Sequence, residues 1–556
     1  FGSRLAQSFG ERSNVIFAMS GQGTQRFDRL SPAEVFAWLI DPVPIDTFFA
    51  EYWEKKPLHI ARGDPTRYAG LLPDEAITSK MRSKEGLTYQ KDINVAQFVN
   101  GKQVMRNRTG RAAPADVRRA VEAGCSLQVV HPQRYVPTVA AMLARLESYF
   151  GCLWGANSFR TPPSMRGFKA HHDEVEVFML QLSGAKRWKL HTCPSGPLPR
   201  SYCWEYDEQK LAPPILDVCL QAGDLLYFPR GVVHIGVSDG KVDSQHLTVT
   251  TYQRNCWADF LAKALPAALD RAASADARYR TGLPLRFLNL VGECHHPAQA
   301  DAQRYQSGES AAGSEARFTA RAGFHDNLVR LIRDLASYAD TAADTAGDIM
   351  AAQFVARCLP KSCAPQEGAG AMAAESLGPD PAAFQAEEEK FADSLKGVLP
   401  TVLADENSGT ASVRRLAVRW LDPGSVRVVT ESRPGEPSET QIYHCFENDR
   451  SAHMSEEEPQ PACLVLEGCE WAAPLRVLNN PTASDRWVLA AEMHIAHRAA
   501  CGAEQAAGAL DDDGDESSVW DLLHSLWEGG LIETREVFVR THASTATKAA
   551  SRASHR

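Results

Sequence analysis

Nowhere does the chain carry an unbroken apolar run of about 18 residues or more, which argues against a helical membrane span. It also lacks a basic excess. The 59 Lys and Arg against 69 Asp and Glu leave a net charge of -10, so a surface that grips nucleic acid along its length by phosphate neutralisation is not expected. There is no CxxC pair either. The 13 cysteines are scattered and odd in number, unlike a disulfide framework, and are expected to be reduced thiols of an intracellular protein. In that setting Asn107-Arg108-Thr109 is a coincidental match to a glycosylation acceptor. The sequence begins at Phe1, so the lack of a targeting signal carries no weight.

What is present is a chain of 556 residues, 44% apolar, too long for one hydrophobic core and suited to roughly two to four domains. From Ser31 to Ile60 the segment SPAEVFAWLIDPVPIDTFFAEYWEKKPLHI predicts helix, with Ser31 as N-cap and Pro32 in the first turn. Between about Thr88 and Phe260, short runs rich in Val, Leu, Phe and Tyr are broken by Gly and Pro. Many short strands at that spacing predict a barrel or sandwich. Helical periodicity returns from about Asp259 to Pro360, with Leu328, Leu331, Ile332 and Leu335 on one face. Polar, small-residue stretches near Pro297 to Ser314 and Ser362 to Glu388 have the composition of links. From Ala392 to Thr541, strand candidates (SVRVVTE, QIYHCFE) mix with helix candidates (DRWVLAAEMHIAHRA, VWDLLHSLWEGGLI).

The chemistry concentrates in two places. Side chains at i and i+2 of a strand project from one face, so His171 and Asp173 can reach one metal ion, and His172 with Glu174 form a rival pair. The odd face continues through Val175, Val177 and Met179, the better choice for a barrel interior. In GDLLYFPRGVVH, two turns frame a buried strand, and His234 enters from the opposite side as a third ligand. Two histidines and one carboxylate on one face of a metal leave positions open, as non-haem Fe(II) oxygenases require. A 2-oxoglutarate enzyme needs in addition a buried cation for the cosubstrate's distal carboxylate. Lys186 in QLSGAKRWKL is the best candidate, with Lys189 and Arg187 as surface alternatives; Asn157, Thr248 and Thr250 offer polar side chains, and His246 shares their parity.

Taken together, these stretches resemble the ribosomal oxygenase subgroup of the JmjC-domain family. The matching text is FFAEYWEKKPLHI, NGKQVMRNRTGRA, GCSLQVVHPQRY, FGCLWGANSFRTPPSMRGFKAHHDEVEVFMLQLSGAKRWKL, QAGDLLYFPRGVVH and HLTVTTYQRNCWADFL, strongest from about Asp46 to Pro266. The resemblance implies iron on His171, Asp173 and His234, the 2-oxoglutarate lysine at Lys186 and a pocket asparagine at Asn157. It implies an α+β chain: a double-stranded β-helix (cupin/JmjC barrel), then a helical dimerisation domain and a winged-helix-like domain. The expected division is a disordered N-terminal segment 1–30, the oxygenase domain with its N-terminal helical prelude at 31–265, dimerisation helices 266–361, a flexible linker 362–391, a winged-helix-like domain 392–541 and a disordered tail 542–556. Where relatives tend to carry tyrosine, this chain has His172 and Phe159.

The implied activity is Fe(II)-, 2-oxoglutarate- and O2-dependent hydroxylation of a histidine in a ribosomal protein, with histone N-methyl-lysine demethylation as the alternative. A catalytically silent cupin-like scaffold binding chromatin or ribosome precursors is the rival from another class. The resemblance also implies a homodimer in the nucleus or nucleolus. Direct nucleic-acid binding is disfavoured by the acidic runs SEEEPQ and DDDGDESS of the C-terminal part.

Overall fold

The computed structural model describes residues 25–291 apart from Lys241, residues 312–360, and a discontinuous set between 403 and 541. The expected N-terminal segment up to residue 24, the linker 362–391 and the tail 542–556 lie outside the described residues.

Helix α1 (Pro32–Ile40) starts as its sequence predicts. The Ser31 hydroxyl accepts the Glu34 amide, the Glu34 carboxylate accepts the Ser31 amide at 2.9 Å, and Pro32 takes the first turn, where its missing N–H costs nothing. The predicted run to Ile60 is interrupted. Pro42 and Pro44 supply no amide for an i→i−4 bond and push the residues before them out of the helical region. The chain therefore restarts as α2 (Ile45–Glu51), and Leu58–Ile60 becomes β1, an edge strand.

The elements that follow are α3 (Asp74–Arg82), β2 (Ile93–Val99), β3 (Lys102–Met105), α4 (Pro114–Glu122), β4 (Ser126–Val130), α5 (Pro137–Phe150), β5 (Trp154–Thr161), β6 (Glu176–Ser183), β7 (Ala185–His191), β8 (Leu216–Gln221), β9 (Leu225–Phe228), β10 (Val233–Asp239) and β11 (Ser244–Thr251). They build two antiparallel sheets, ordered β1-β9-β6-β11-β5-β4-β2-β3 and β10-β7-β8. Two antiparallel sheets with flanking helices are the barrel-like arrangement that the strand spacing predicts.

Strand β6 explains why EVEVFMLQL reads as a continuous apolar run. Its odd residues Val177 and Met179 join Trp188, Leu190, Leu226 and Phe228 between the sheets. Its even residues Phe178 and Leu180 pack outward into a second cluster with Phe36, Phe48, Trp154 and Tyr227. A strand buried on both faces loses the polar alternation of a half-exposed one.

Two compact units emerge, Phe1–Gln253 with Gln353–Arg556, and Arg254–Ala352. In the first, β13 (Ala411–Trp420) pairs along its whole length with β18 (Ile532–Thr541) and also with β12 (Leu403–Ala404) and β17 (Val488–Leu489). A second sheet holds β14 (Val426–Glu431), β15 (Glu439–His444) and β16 (Ala462–Glu467), with α9 (Ala472–Leu478) beside them. Val488 and Leu489 were expected to be helical; they extend instead because pairing with Val418 and Ala417 lets Val488 join the core of Val418, Trp420 and Leu526. A buried link fastens this part to α5. His453 Nε2 donates to Glu147 Oε1 at 2.8 Å, and Gln133 donates to His453 Nδ1 at 3.1 Å.

The second unit holds α6 (Trp257–Ala275) and α7 (Ala312–Leu335), and α8 (Ala339–Arg357) begins in it. Helix α6 runs continuously across the 265/266 boundary drawn from the sequence, with Pro266 inside it. Leu328 and Ile332 of the expected stripe are exposed on α7. A second stripe was not anticipated: Trp257, Leu261, Leu265 and Leu269 recur every fourth residue on α6 and are all exposed.

Candidate metal centre

Two glycines shape the turn-strand-turn that delivers His234. Gly223 (φ 93°) lies against Asp64, whose carbonyl oxygen would be 1.9 Å from a Cβ, and Gly231 (φ 86°) lies 2.3 Å from Pro199 by the same measure. Neither place tolerates a side chain. Between them β9 fills the interior, after which the Gly231 amide donates to Asp173 O and the His234 amide donates to His171 O, both at 2.9 Å. The two ligand segments are thus stitched together by backbone. His171 and Asp173 precede β6 rather than lie in it: His171 forms an isolated bridge with His234, and regular pairing begins at Glu176.

Within this frame one ligand atom from each of His171, Asp173 and His234 comes within 4.8 Å of the others. His171 Nδ1 donates to the Lys169 carbonyl at 2.8 Å and His234 Nδ1 to the Val232 carbonyl at 3.2 Å. Each bond fixes the tautomer and leaves Nε2 with a free lone pair for a metal. Burial holds His234 neutral, its pKa well below the usual imidazole value, as a nitrogen ligand requires. Burial also pushes the Asp173 carboxyl up, and the neighbouring His171 pulls it back. A divalent cation fits this donor set. The rival pair does not converge. His172 is 2% exposed and both its nitrogens are occupied, Nε2 donating to Ser201 O at 2.9 Å and Nδ1 accepting from the Tyr206 hydroxyl at 2.8 Å.

Deeper between the sheets lies a buried ammonium group. Lys186 on β7 is 5% exposed; its ammonium reaches Thr161 Oγ1 at 3.3 Å and sits 4.8 Å from the Trp188 ring centroid. Among the described residues no carboxylate pairs with it, and burial pushes its pKa down to about 7. Asn157 and Thr248 are register partners on β5 and β11, and Asn157 Oδ1 and Thr248 Oγ1 are buried with no hydrogen-bond partner among the described residues, as are His246 Nδ1 and Trp188 Nε1. Thr250 lies one same-face position farther from the Lys186 end, half-buried, opposite Gly155 and Val177. The alternatives to Lys186 point outward: Arg187 pairs with Asp217, and Lys189 is exposed. Thr161 was missed in the sequence, although it shares the parity of Asn157 on the same strand.

Arg230 was also missed, because its partners are distant in sequence. In the PRG turn before His234, its guanidinium spans Glu176 at 3.2 Å and Glu54 at 2.7 Å, and the Tyr227 hydroxyl donates to Glu176 at 2.6 Å. Burial pushes the Glu176 carboxyl up to about 7, against the opposing pull of Tyr227 and Arg230. Removing one member of a buried pair strands the other charge, which costs about 3–5 kcal/mol. Arg230→Met is expected to destabilise the fold by that order in urea unfolding, and an unchanged midpoint would show the pair to be dispensable.

Residues 128–259 match the JmjC domain model. The chain is 32% identical over 447 residues to the bifunctional lysine-specific demethylase and histidyl-hydroxylase NO66 of Aedes aegypti, covering 78% of this chain and 62% of that protein. It is 37% identical over 334 residues to ribosomal oxygenase 1 of Gallus gallus, covering 60% and 52%. It thus spans between about half and two thirds of the length of these relatives. Among solved structures, the ribosomal oxygenase YcfD of Escherichia coli gives a TM-score of 0.40 at 16% identity, over 89% of this chain and 98% of that one. The chain therefore carries a JmjC domain and is related by sequence to the ribosomal oxygenases.

Proposed function

We propose that this chain is an Fe(II)- and 2-oxoglutarate-dependent protein oxygenase that hydroxylates a histidine of a ribosomal protein. The observation that carries the reading is Lys186, a buried cation with no carboxylate partner among the described residues, set between the same sheets as a three-residue metal site. An interior of that kind suits an anion that also ligates the metal. His171 and His234 would offer Nε2 and Asp173 its carboxylate; Lys186 would pair with the distal carboxylate, and the Asn157 and Thr248 side chains would take hydrogen bonds that they lack now. Thr250 remains a lesser contact of the same face. With metal, 2-oxoglutarate and O2 present, the centre supplies an oxidant that inserts one oxygen atom into a C–H bond while 2-oxoglutarate becomes succinate and CO2. The chain's own part is to hold geometry and keep water out, through Trp188, Phe159 and His246 packed around the interior.

The histidine substrate follows the names of the relatives, one of which also names lysine demethylation and so supports that second reading. Mass spectrometry of ribosomal proteins and histones incubated with the protein, Fe(II), 2-oxoglutarate and O2 separates the cases. One added oxygen on histidine supports the first and loss of a methylene from lysine the second. No succinate under any condition would leave the silent scaffold. The same reading places the protein in the nucleus or nucleolus, where ribosomes are assembled and histones reside, which imaging of a tagged chain tests. The part from 392 to 541 is taken as winged-helix-like, contacting protein rather than DNA because of its acidic runs.

Homodimerisation belongs to the same proposal. The exposed apolar residues of α6 and α7 are more than a soluble helical surface usually carries, and a symmetric pair is the commonest way to cover them. Light scattering is expected to give twice the chain mass of 60.9 kDa. Leu261→Glu with Leu265→Glu, or Leu328→Glu with Ile332→Glu, should yield monomers, and a dimer that survives both pairs lies on another surface.

A further inference from the structure

His172 lies between two proposed ligands yet serves a loop. Its backbone exchanges two hydrogen bonds with Cys203, at 3.0 and 3.1 Å, and its ring is held by Ser201 and Tyr206 at the two ends of the same loop. The Tyr206 amide donates to Ala170 O at 3.0 Å, and Lys169 is ion-paired with Glu205. The segment 201–206 is thereby clamped along residues 169–172. Its tip carries Trp204, whose ring stacks on the His171 imidazole at 5.8 Å between centroids and 25° between planes. Tyr202 packs against Trp204 at 4.9 Å. Both aromatics remain open, Tyr202 53% and Trp204 60% exposed, although large rings are normally drawn into cores.

We propose that Trp204 is a specificity-determining wall of the substrate entrance, against which a planar side chain stacks beside the metal site, and that His172 is the positioning residue that holds it there. This rests on the histidine-hydroxylase reading, under which the planar group is an imidazole. The charges of the loop favour a neutral ring over a cation. Glu205 is paired with Lys169, Glu208 with Arg166 and Asp207 with Lys210, so the carboxylates beside the aromatics are already taken. A methylated ammonium would meet the aromatic pair with Glu205, Asp207 and Glu208 already engaged by other cations.

Calorimetric titration of the full chain, loaded with Mn(II) and 2-oxoglutarate, tests this with short peptides differing only in a central histidine, alanine or trimethyl-lysine. Trp204→Ala is expected to weaken binding of the histidine peptide by about tenfold, and Trp204→Phe, which keeps a ring, by no more than about threefold. His172→Phe should weaken binding similarly, and the double variant should be no worse than Trp204→Ala alone, since the two act through one element. A merely structural role of His172 would add to the loss. Equal affinity of the unaltered chain and Trp204→Ala for the histidine peptide overturns the wall alone. So does a larger loss for the trimethyl-lysine peptide, which would assign the aromatics to a cation. Failure of the unaltered chain to prefer the histidine peptide over the alanine one overturns the wall together with the histidine reading.

Discussion

Replacing His171 or Asp173 by alanine is expected to strip the metal and reduce succinate formation by at least about a thousandfold, while His172→Ala keeps the metal. Loss of a group that merely orients a ligand costs about 10–100-fold in metal affinity or activity, and loss of a ligand itself costs more. His171 and His234 each spend Nδ1 on a backbone carbonyl and aim Nε2 at the shared centre, whereas both nitrogens of His172 are committed to Ser201 and Tyr206. Metal content of the purified variants, measured beside succinate release, checks the assignment. Retention of metal by His171→Ala and its loss from His172→Ala would reverse it.

Lys186→Ala should raise the 2-oxoglutarate requirement by about 30-fold to several thousandfold, the equivalent of roughly 2–5 kcal/mol for a buried charge-assisted contact. The dependence on pH has a defined sign. Burial lowers the lysine's pKa to about 7, and only the protonated form pairs with a carboxylate, so cosubstrate affinity should fall as the pH rises above that value. Folding runs the other way in the protein without cosubstrate. Between about pH 7 and the ordinary lysine range the unfolded chain holds a proton that the folded chain has released, so the contribution of this group to stability rises with pH. Saturation kinetics from pH 6 to 9 in the unaltered chain and in Lys186→Ala test the first point, and urea unfolding of the same two chains over the same range tests the second. A requirement that neither the substitution nor the pH moves would transfer the role to another residue.

The sheets were legible because Gly and Pro punctuate the strands, and the His234 segment because its turns flank a four-residue apolar run. The register of His171 and Asp173 was legible from the parity of Val177 and Met179, even though regular strand begins only at Glu176. Less visible were contacts that join distant parts. Arg230 with Glu54 and Glu176, His453 with Glu147, and His172 with the loop at 201–206 depend on three-dimensional closure, and no local spacing announces them. The helix assigned through Ile60 failed on Pro42 and Pro44, which were in plain view but outweighed by the apolar periodicity around them. The α6 stripe was overlooked because Pro266 sits in its middle.

Strand β6 divides its residues between two interiors, and this gives neighbouring positions different freedom to change. Val177 and Met179 face the interior between the sheets, while Phe178 and Leu180 anchor the strand to the aromatic mass beneath α1 and α2. A lineage acquiring a new substrate could reshape the packing between the sheets through the first pair without loosening the foundation supplied by the second. Selection on chemistry and selection on folding can thus act on adjacent codons almost independently, which is one physical reason for a single scaffold to accommodate many side chains at its centre.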